Sequence, residues 1–308
     1  MSLSVLGQLL FKIVFMAALG FFLRRREIIT GELQKGLSNL LLTVILPLSI
    51  LTSSDSVFSP GMAGGLFRSG AIACGYYAAA LVLTVWLFGR LKTERSRRGI
   101  AATMAVFANV GFIGFPVVAE LYGKEGTLYA VIYNLAYQIF LFTAGTALLS
   151  GKKEVDWKEM LLDPMTATSL AAIAIFLSPL RFPAIVTESF DAVGSMTVPL
   201  SMMIIGCDMA GMKGRALFSD ALSYFVSGLR LLAFPAVLAL LLKAAGTEAS
   251  LARVMVLMTA LPCGSLNVIL AERYGCEKQF AAATVVLSMV LMVVTVPVVL
   301  LGIAWLWP

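Results

Sequence analysis

The chain has 308 residues, 60% hydrophobic and only 13% charged, with a mean hydropathy of +0.94. A soluble domain is nearer half apolar and a quarter charged, so hydrocarbon must be the solvent for much of this surface, and no stretch is long and polar enough to make a separate soluble domain. The sequence contains no His, which excludes histidine metal ligands and histidine general bases, and its formal charge of +6 is explained by membrane-side loops rather than by a nucleic-acid partner.

In chain order, spans of about 20 mainly apolar residues are predicted at 5–23, 34–54, 66–89, 98–121 and 126–149. The charged stretch 151–159 follows, and then spans at 162–178, 190–208, 218–243, 250–271 and 280–305. The reading is an all-α integral membrane protein of ten transmembrane helices. Residues 1–4 carry no positive charge, and Arg24, Arg25 and Arg26 come after the first apolar run. That order favours a retained helix that starts outside the cytoplasm over a cleavable signal. Sixteen of the 23 Lys and Arg fall in alternate loops, among them Arg24–Arg26, Arg95, Arg97, Arg98, Lys152, Lys153, Lys213 and Arg215. The positive-inside rule makes those loops cytoplasmic and puts both termini outside. The four cysteines, Cys74, Cys207, Cys263 and Cys276, form no C-x-x-C pair and read as small apolar fillers.

The second and seventh spans both contain Pro-Leu-Ser, at Pro47–Ser49 and Pro199–Ser201, 152 residues apart. The same offset carries Val110 of the fourth span onto Pro262 of the ninth. Two halves, 1–150 and 151–308, then hold five helices each, so they must be inserted in opposite orientations, as an inverted repeat.

The fourth span reads Asn109-Val-Gly111-Phe-Ile-Gly114-Phe-Pro116, and the ninth Ala260-Leu-Pro262-Cys-Gly264-Ser265-Leu-Asn267. Pro removes a backbone donor and clashes with the preceding turn, and Gly lowers the cost of leaving helix. One account is a pair of proline kinks packed by small residues, which membrane helices tolerate. The other is two broken helices that cross near the midplane. Their positive half-helix ends would then converge on one point suited to a carboxylate, and their carbonyl ends would suit a cation. Asn134 and Gln138 of the fifth span lie one turn apart on one face; they either line the substrate path or hold helices together. Ser49 and Ser201 either satisfy carbonyls freed by their prolines or touch ligand. Arg230 falls near the bilayer centre and needs a partner, for which Asp208 is a candidate; the alternatives are carbonyl capping and attraction of the substrate anion. Lys12 and Arg68 are expected to snorkel outward, and Glu120, Asp55 and Arg253 to reach water.

With these residues in view, the sequence resembles the auxin efflux carrier family, whose members include plant auxin exporters and bacterial carriers of malate- or malonate-like acids. The resemblance spans essentially the whole chain. It rests on Val44-Ile-Leu-Pro47, Asn109 through Pro116, Val198-Pro-Leu-Ser201 with Gly206, Arg230-Leu-Leu-Ala-Phe-Pro235 and Leu261-Pro262. It implies ten helices in a 5+5 inverted repeat, the plan shared with bile-acid symporters, with a scaffold part beside a moving part. It also implies a site at the crossing of helices four and nine and an elevator-like motion. Asn109, Pro116 and Pro262 carry over directly. The chain lacks the long loop between helices five and six of the plant exporters, so phosphorylation of such a loop is not implied, a prokaryotic carrier fits better, and auxin is not the expected substrate.

The expected function is a non-enzymatic secondary transporter of a small organic anion in the cell membrane, without cofactor. The coupling ion, H+ or Na+, and the substrate are left open; a homodimer is a family-level expectation. Two other readings are a sodium symporter of the bile-acid type, which would require an acidic residue at the crossing, and a membrane sensor, which an appended output domain would favour. Ser265 has no His and no placed Lys to make it a hydrolase nucleophile. The charge count makes a direct prediction. Cysteines introduced as Lys124→Cys and Lys152→Cys should react with impermeant maleimide from opposite faces, Lys152→Cys from the cytoplasm. Labelling of both from outside sealed cells would refute the arrangement.

Overall fold

A computed structural model of the chain describes residues 3–54, 60–151, 157–178, 181–211 and 220–307. Asp55, Lys152, Lys153, Lys213 and Arg215 lie outside the described residues. Among the described residues the regular structure is helical apart from one isolated β-bridge. In order the helices are α1 (Leu3–Arg25), α2 (Gly31–Ser53), α3 (Pro60–Gly89), α4 (Arg95–Val106) and α5 (Val110–Ser150). There follow α6 (Trp157–Leu162), α7 (Pro164–Leu177), α8 (Ala184–Gly211), α9 (Ala221–Ala244), α10 (Ala249–Thr259), α11 (Leu266–Arg273) and α12 (Lys278–Leu306). Six described helical runs, in α2, α3, α5, α8, α9 and α12, are long and apolar enough to cross a membrane.

The fourth and ninth predicted spans are each divided in two. α4 ends at Val106 and α5 begins at Val110, while α10 ends at Thr259 and α11 begins at Leu266. The fourth is interrupted earlier than its glycines and proline suggest. Residues 110–114 form a π turn, and Pro116 sits in the first turn of the α-helical stretch that follows. The same device recurs: Pro47, Pro116 and Pro235 each come two residues after a π turn, at Leu41–Ile45, Val110–Gly114 and Leu229–Ala233. Proline's ring presses on the carbonyl four residues back. A turn closed by i→i+5 bonds widens the backbone there and accommodates the ring. Pro116 therefore sits in its helix without opening it. Pro262, in contrast, lies in the non-helical segment itself. α5 turns sharply at Gly123 (φ 61°, ψ −154°), a conformation that glycine adopts without strain.

Helices pack around α5, which meets α2, α3, α7 and α10. α1 lies along α8, which also meets α2, and α2 packs on α7. α3 packs on α4 and α5, while α9 packs on α10 and α12. The α1–α8 contact is backbone to backbone. A Cβ on Gly206 would fall 1.9 Å from the Ala17 carbonyl oxygen, and one on Gly20 would fall 2.0 Å from that of Met203. Small residues that let helices approach this closely are how membrane helices gain packing energy. Replacing Gly206 by Val must therefore push α1 away; thermal unfolding of the detergent-solubilised protein should show a loss of about 1–3 kcal/mol or more. Wild-type stability would mean that the two helices do not touch there.

Candidate functional site

The two interrupted segments cross and pair. The Asn109 N–H donates to the Pro262 carbonyl at 2.9 Å and the Gly264 N–H to the Phe107 carbonyl at 3.0 Å, closing an antiparallel bridge between Ala108 and Cys263. Phe107, Ala108 and Cys263 are buried. Extended backbone inside a membrane protein must find partners, and these two segments supply them to each other. The Cys263 N–H, which points elsewhere, donates to Ser288 Oγ at 3.0 Å. Gly264 is required by this closeness, since a Cβ there would meet the Ala108 oxygen at 2.7 Å.

Asn109 caps the second half-helix: its Oδ1 accepts from the Phe112 N–H at 3.2 Å and its Nδ2 donates to Ser265 Oγ at 3.4 Å. Asn267 is fully buried and ties the segments together, donating to the carbonyls of Phe107 (3.0 Å) and Gly264 (3.1 Å).

The negative ends of the half-helices face the other way, onto Arg230. Its guanidinium is completely buried. Nη1 donates to the Val106 carbonyl at 2.6 Å and to Tyr76 Oη at 2.7 Å, Nε to the Leu261 carbonyl at 3.0 Å, and Nη2 to the Met258 carbonyl at 3.3 Å. Val106 closes α4, and Met258 and Leu261 lie at the end of α10. One planar cation thus satisfies both negative ends, where the dipoles favour positive charge. This corrects two sequence expectations. Asp208 is not the partner of Arg230, because it accepts instead from Gln34 Nε2 at 2.6 Å. Nor does Arg230 line the cavity at the crossing, because its donors go to three backbone carbonyls and the Tyr76 hydroxyl.

The positive ends share a cavity of about 180 Å³. Val110, Gly111 and Phe112 at the start of α5 line it, as do Gly264, Ser265 and Leu266 at the start of α11, with Asn109 between them. First-turn N–H groups have no partner within their own helix, so this is a place where two sets of donors converge. The cavity's further wall is Asn134, Tyr137 and Gln138 of α5 with Asp163 and Met165 at the start of α7. The structure therefore gathers Asn109, Gly111, Gly264, Ser265, Asn134 and Gln138 in one place. Pro262 and Asn267 belong to the crossing but lie outside the cavity lining, and Pro116 lies further along α5. Ser49 is elsewhere, in a second cavity with Lys12, Glu120, Lys124 and Asp191.

Asp163 escaped the sequence reading. Its Asp-Pro signature marks a helix start, and it does cap α7, accepting from the Thr166 N–H at 3.0 Å. Nothing in the sequence placed that start beside the crossing. Tyr76, the hydroxyl partner of Arg230, gave no signal either.

Comparisons with known proteins give the family. The membrane transport protein family model matches residues 5–156 and 153–300, and the chain belongs to that family, the auxin efflux carrier family of transporters. It is 24% identical over 311 residues to the transporter YfdV of Escherichia coli, covering 95% of each chain. It is 22% identical over 289 residues to a transporter of Methanocaldococcus jannaschii, covering 90% of this chain and 92% of the relative. A match to auxin efflux carrier component 3 of Arabidopsis thaliana is 26% identical over 139 residues, covering 44% of this chain and 22% of the relative.

Removing Arg230 tests the arrangement. Arg230→Met leaves the carbonyls of Val106, Met258 and Leu261 without their donor, at a cost of about 1–3 kcal/mol for each group left unsatisfied. Arg230→Lys should recover only part of that loss, because an ammonium cannot reproduce the fork. Thermal unfolding of both variants in detergent reads this order; equal stability of wild type and Arg230→Met would contradict it.

Proposed function

We propose that the protein is a secondary carrier that moves a small organic anion, a carboxylate, across the cell membrane by alternating access. The observation that carries this is the cavity shared by the starts of α5 and α11. Helix starts favour anions, and here two of them, from the two halves of the sequence, line one space. The cavity, about 180 Å³, is below the range of drug-sized sites and suits a small acid.

The same reading takes the chain as ten crossings in a 5+5 inverted repeat, with halves at 1–150 and 151–308. Its crossings are α1, α2, α3, α4 with the first part of α5, the rest of α5, α7, α8, α9, α10 with α11, and α12. The packing supports a scaffold of α1, α2, α7 and α8 beside a moving body of the remaining helices, with an elevator-like motion between them. The ion pairs Lys12–Glu120 (3.7 Å) and Lys124–Asp191 (3.4 Å) both join these two groups. They are exposed enough to break and re-form at little cost.

Purified protein in liposomes, offered a panel of mono- and dicarboxylates under imposed proton and sodium gradients, should accumulate at least one of them. Asn109→Ala should remain folded and inserted while its half-saturating concentration rises about ten- to a hundredfold, the loss of one hydrogen bond to a charged ligand. Unchanged kinetics in a well-expressed Asn109→Ala protein would move the site elsewhere.

A further inference from the structure

A third cavity, of about 280 Å³, differs from the other two in having only apolar side chains in its lining. Two helix faces form long walls. Ile13, Val14, Ala17, Ala18 and Phe21 follow the three- and four-residue spacing of one face of α1, and Met292, Val293, Val296, Pro297 and Leu300 do the same on α12. From the crossing, Ile113 of the π turn and Leu261 of the non-helical segment reach the same space. Val14 and Val293 are 49% and 43% exposed, so the cavity opens sideways, and in a membrane that opening gives onto acyl chains. Water has no use for it, because a trapped water needs two to four polar partners and these side chains offer none. Left empty, the wall atoms forfeit their dispersion contacts.

One mouth of this slot is charged. Phe21 ends the α1 stripe, and the Arg25 guanidinium carbon lies 5.4 Å from the centre of its ring. Arg24 and Arg26 flank Arg25, against one acid, Glu27. The Arg24 guanidinium is held by the Ile29 carbonyl at 3.1 Å. Among the described residues no ion pair engages Arg25 or Arg26, so their charge faces outward uncompensated. Length fits as well. Arg25 and Ile13 are 12 positions apart, about 18 Å of helix, and one leaflet's share of a hydrocarbon core about 30 Å thick is about 15 Å.

We propose that this slot binds an anionic phospholipid. One acyl chain lies between α1 and α12 with its end toward Ile13, and the headgroup phosphate lies at Arg25. A zwitterionic lipid of the same chains fits the slot but brings a second cation to a cluster that is already positive. A second copy of this chain could cover the apolar face, but nothing in it answers the free arginines. The site holds whatever the cargo is, so it stands apart from the anion-carrier reading.

The test starts from the purified full chain, freed of lipid by detergent exchange and titrated with phosphatidylglycerol or phosphatidylcholine of identical acyl chains. Native mass spectrometry counts the bound copies. One phosphatidylglycerol should bind at about a fivefold lower concentration than phosphatidylcholine, the worth of one arginine beside an anionic headgroup. In Arg25→Gln that ratio should fall below about twofold; it is taken within one preparation, so a loss of folded protein leaves it unmoved. Position is read separately, with phosphatidylglycerol carrying a diazirine at the end of one acyl chain. On irradiation it should label peptides holding Ile13–Phe21 or Met292–Leu300 in preference to the exposed Val82 and Trp86 of α3. Ala18→Trp, which places a large side chain in the slot, should cut that labelling about fivefold or more and leave the α3 labelling as it was. Equal binding of the two lipids, an unchanged ratio in Arg25→Gln, or labelling no stronger at the slot than on α3 would each overturn the inference. Dimers that exclude lipid from the slot would also overturn it, in favour of a second copy.

Discussion

Breaking two helices in a medium without water creates backbone groups with nowhere to go, and the rest of this structure follows from how that problem is solved. Each break exposes a donor-rich end and an acceptor-rich end. The interrupted segments pair with one another through Asn109–Pro262 and Gly264–Phe107, which disposes of the extended backbone. Arg230 disposes of the acceptor ends by bonding Val106, Met258 and Leu261 together. What remains is the pair of donor ends, one of them capped by Asn109, and the cavity lies there. A buried arginine is usually costly; here its charge is placed against two negative helix ends and every bond it makes is to a fixed oxygen. Rigid support of this kind lets the open side be selective without collapsing onto itself.

Charge is therefore sorted across the crossing. The protein supplies its own cation on one face, and the cavity where we propose the anion binds lies on the other. The carbonyl ends that suited a cation on paper are already occupied by Arg230, and Ala260–Ser265 and Phe107–Asn109 contain no acidic residue. Pro116 and Pro262, which look equivalent by sequence offset, do different work. Pro262 is part of the paired segment and lends its carbonyl to Asn109, whereas Pro116 sits inside helix behind a π turn.

Much of this was legible in the sequence because hydrocarbon imposes such simple demands. Runs of apolar residues locate the helices, and Asn109, Gly264 and Asn267 stand out as polar or flexible residues where neither is expected. The one-turn spacing of Asn134 and Gln138 put them on one face but did not say what that face meets. Other features depend on facts that no local pattern encodes. A Pro announces a perturbed helix but does not say whether a π turn will absorb it, as at Pro47, Pro116 and Pro235. A buried Arg announces a partner but does not say which. Asp208 was a poorer guess than the other account, carbonyl capping, and the oxygens come from Val106, Met258 and Leu261. Asp163 carried a plain helix-capping signal, and only the packing of α7 against α5 turns it into a wall of the cavity.

The account stands or falls on where an anion sits. The most direct measurement is an anomalous-diffraction map of crystals soaked with 3-bromopropionate, whose bromine marks the bound acid without ambiguity. The account predicts a bromine peak inside the cavity bounded by Val110, Ser265 and Gln138, with the carboxylate against the starts of α5 and α11. A peak instead in the cavity lined by Ser49, Lys12 and Lys124, with the crossing empty, would contradict it.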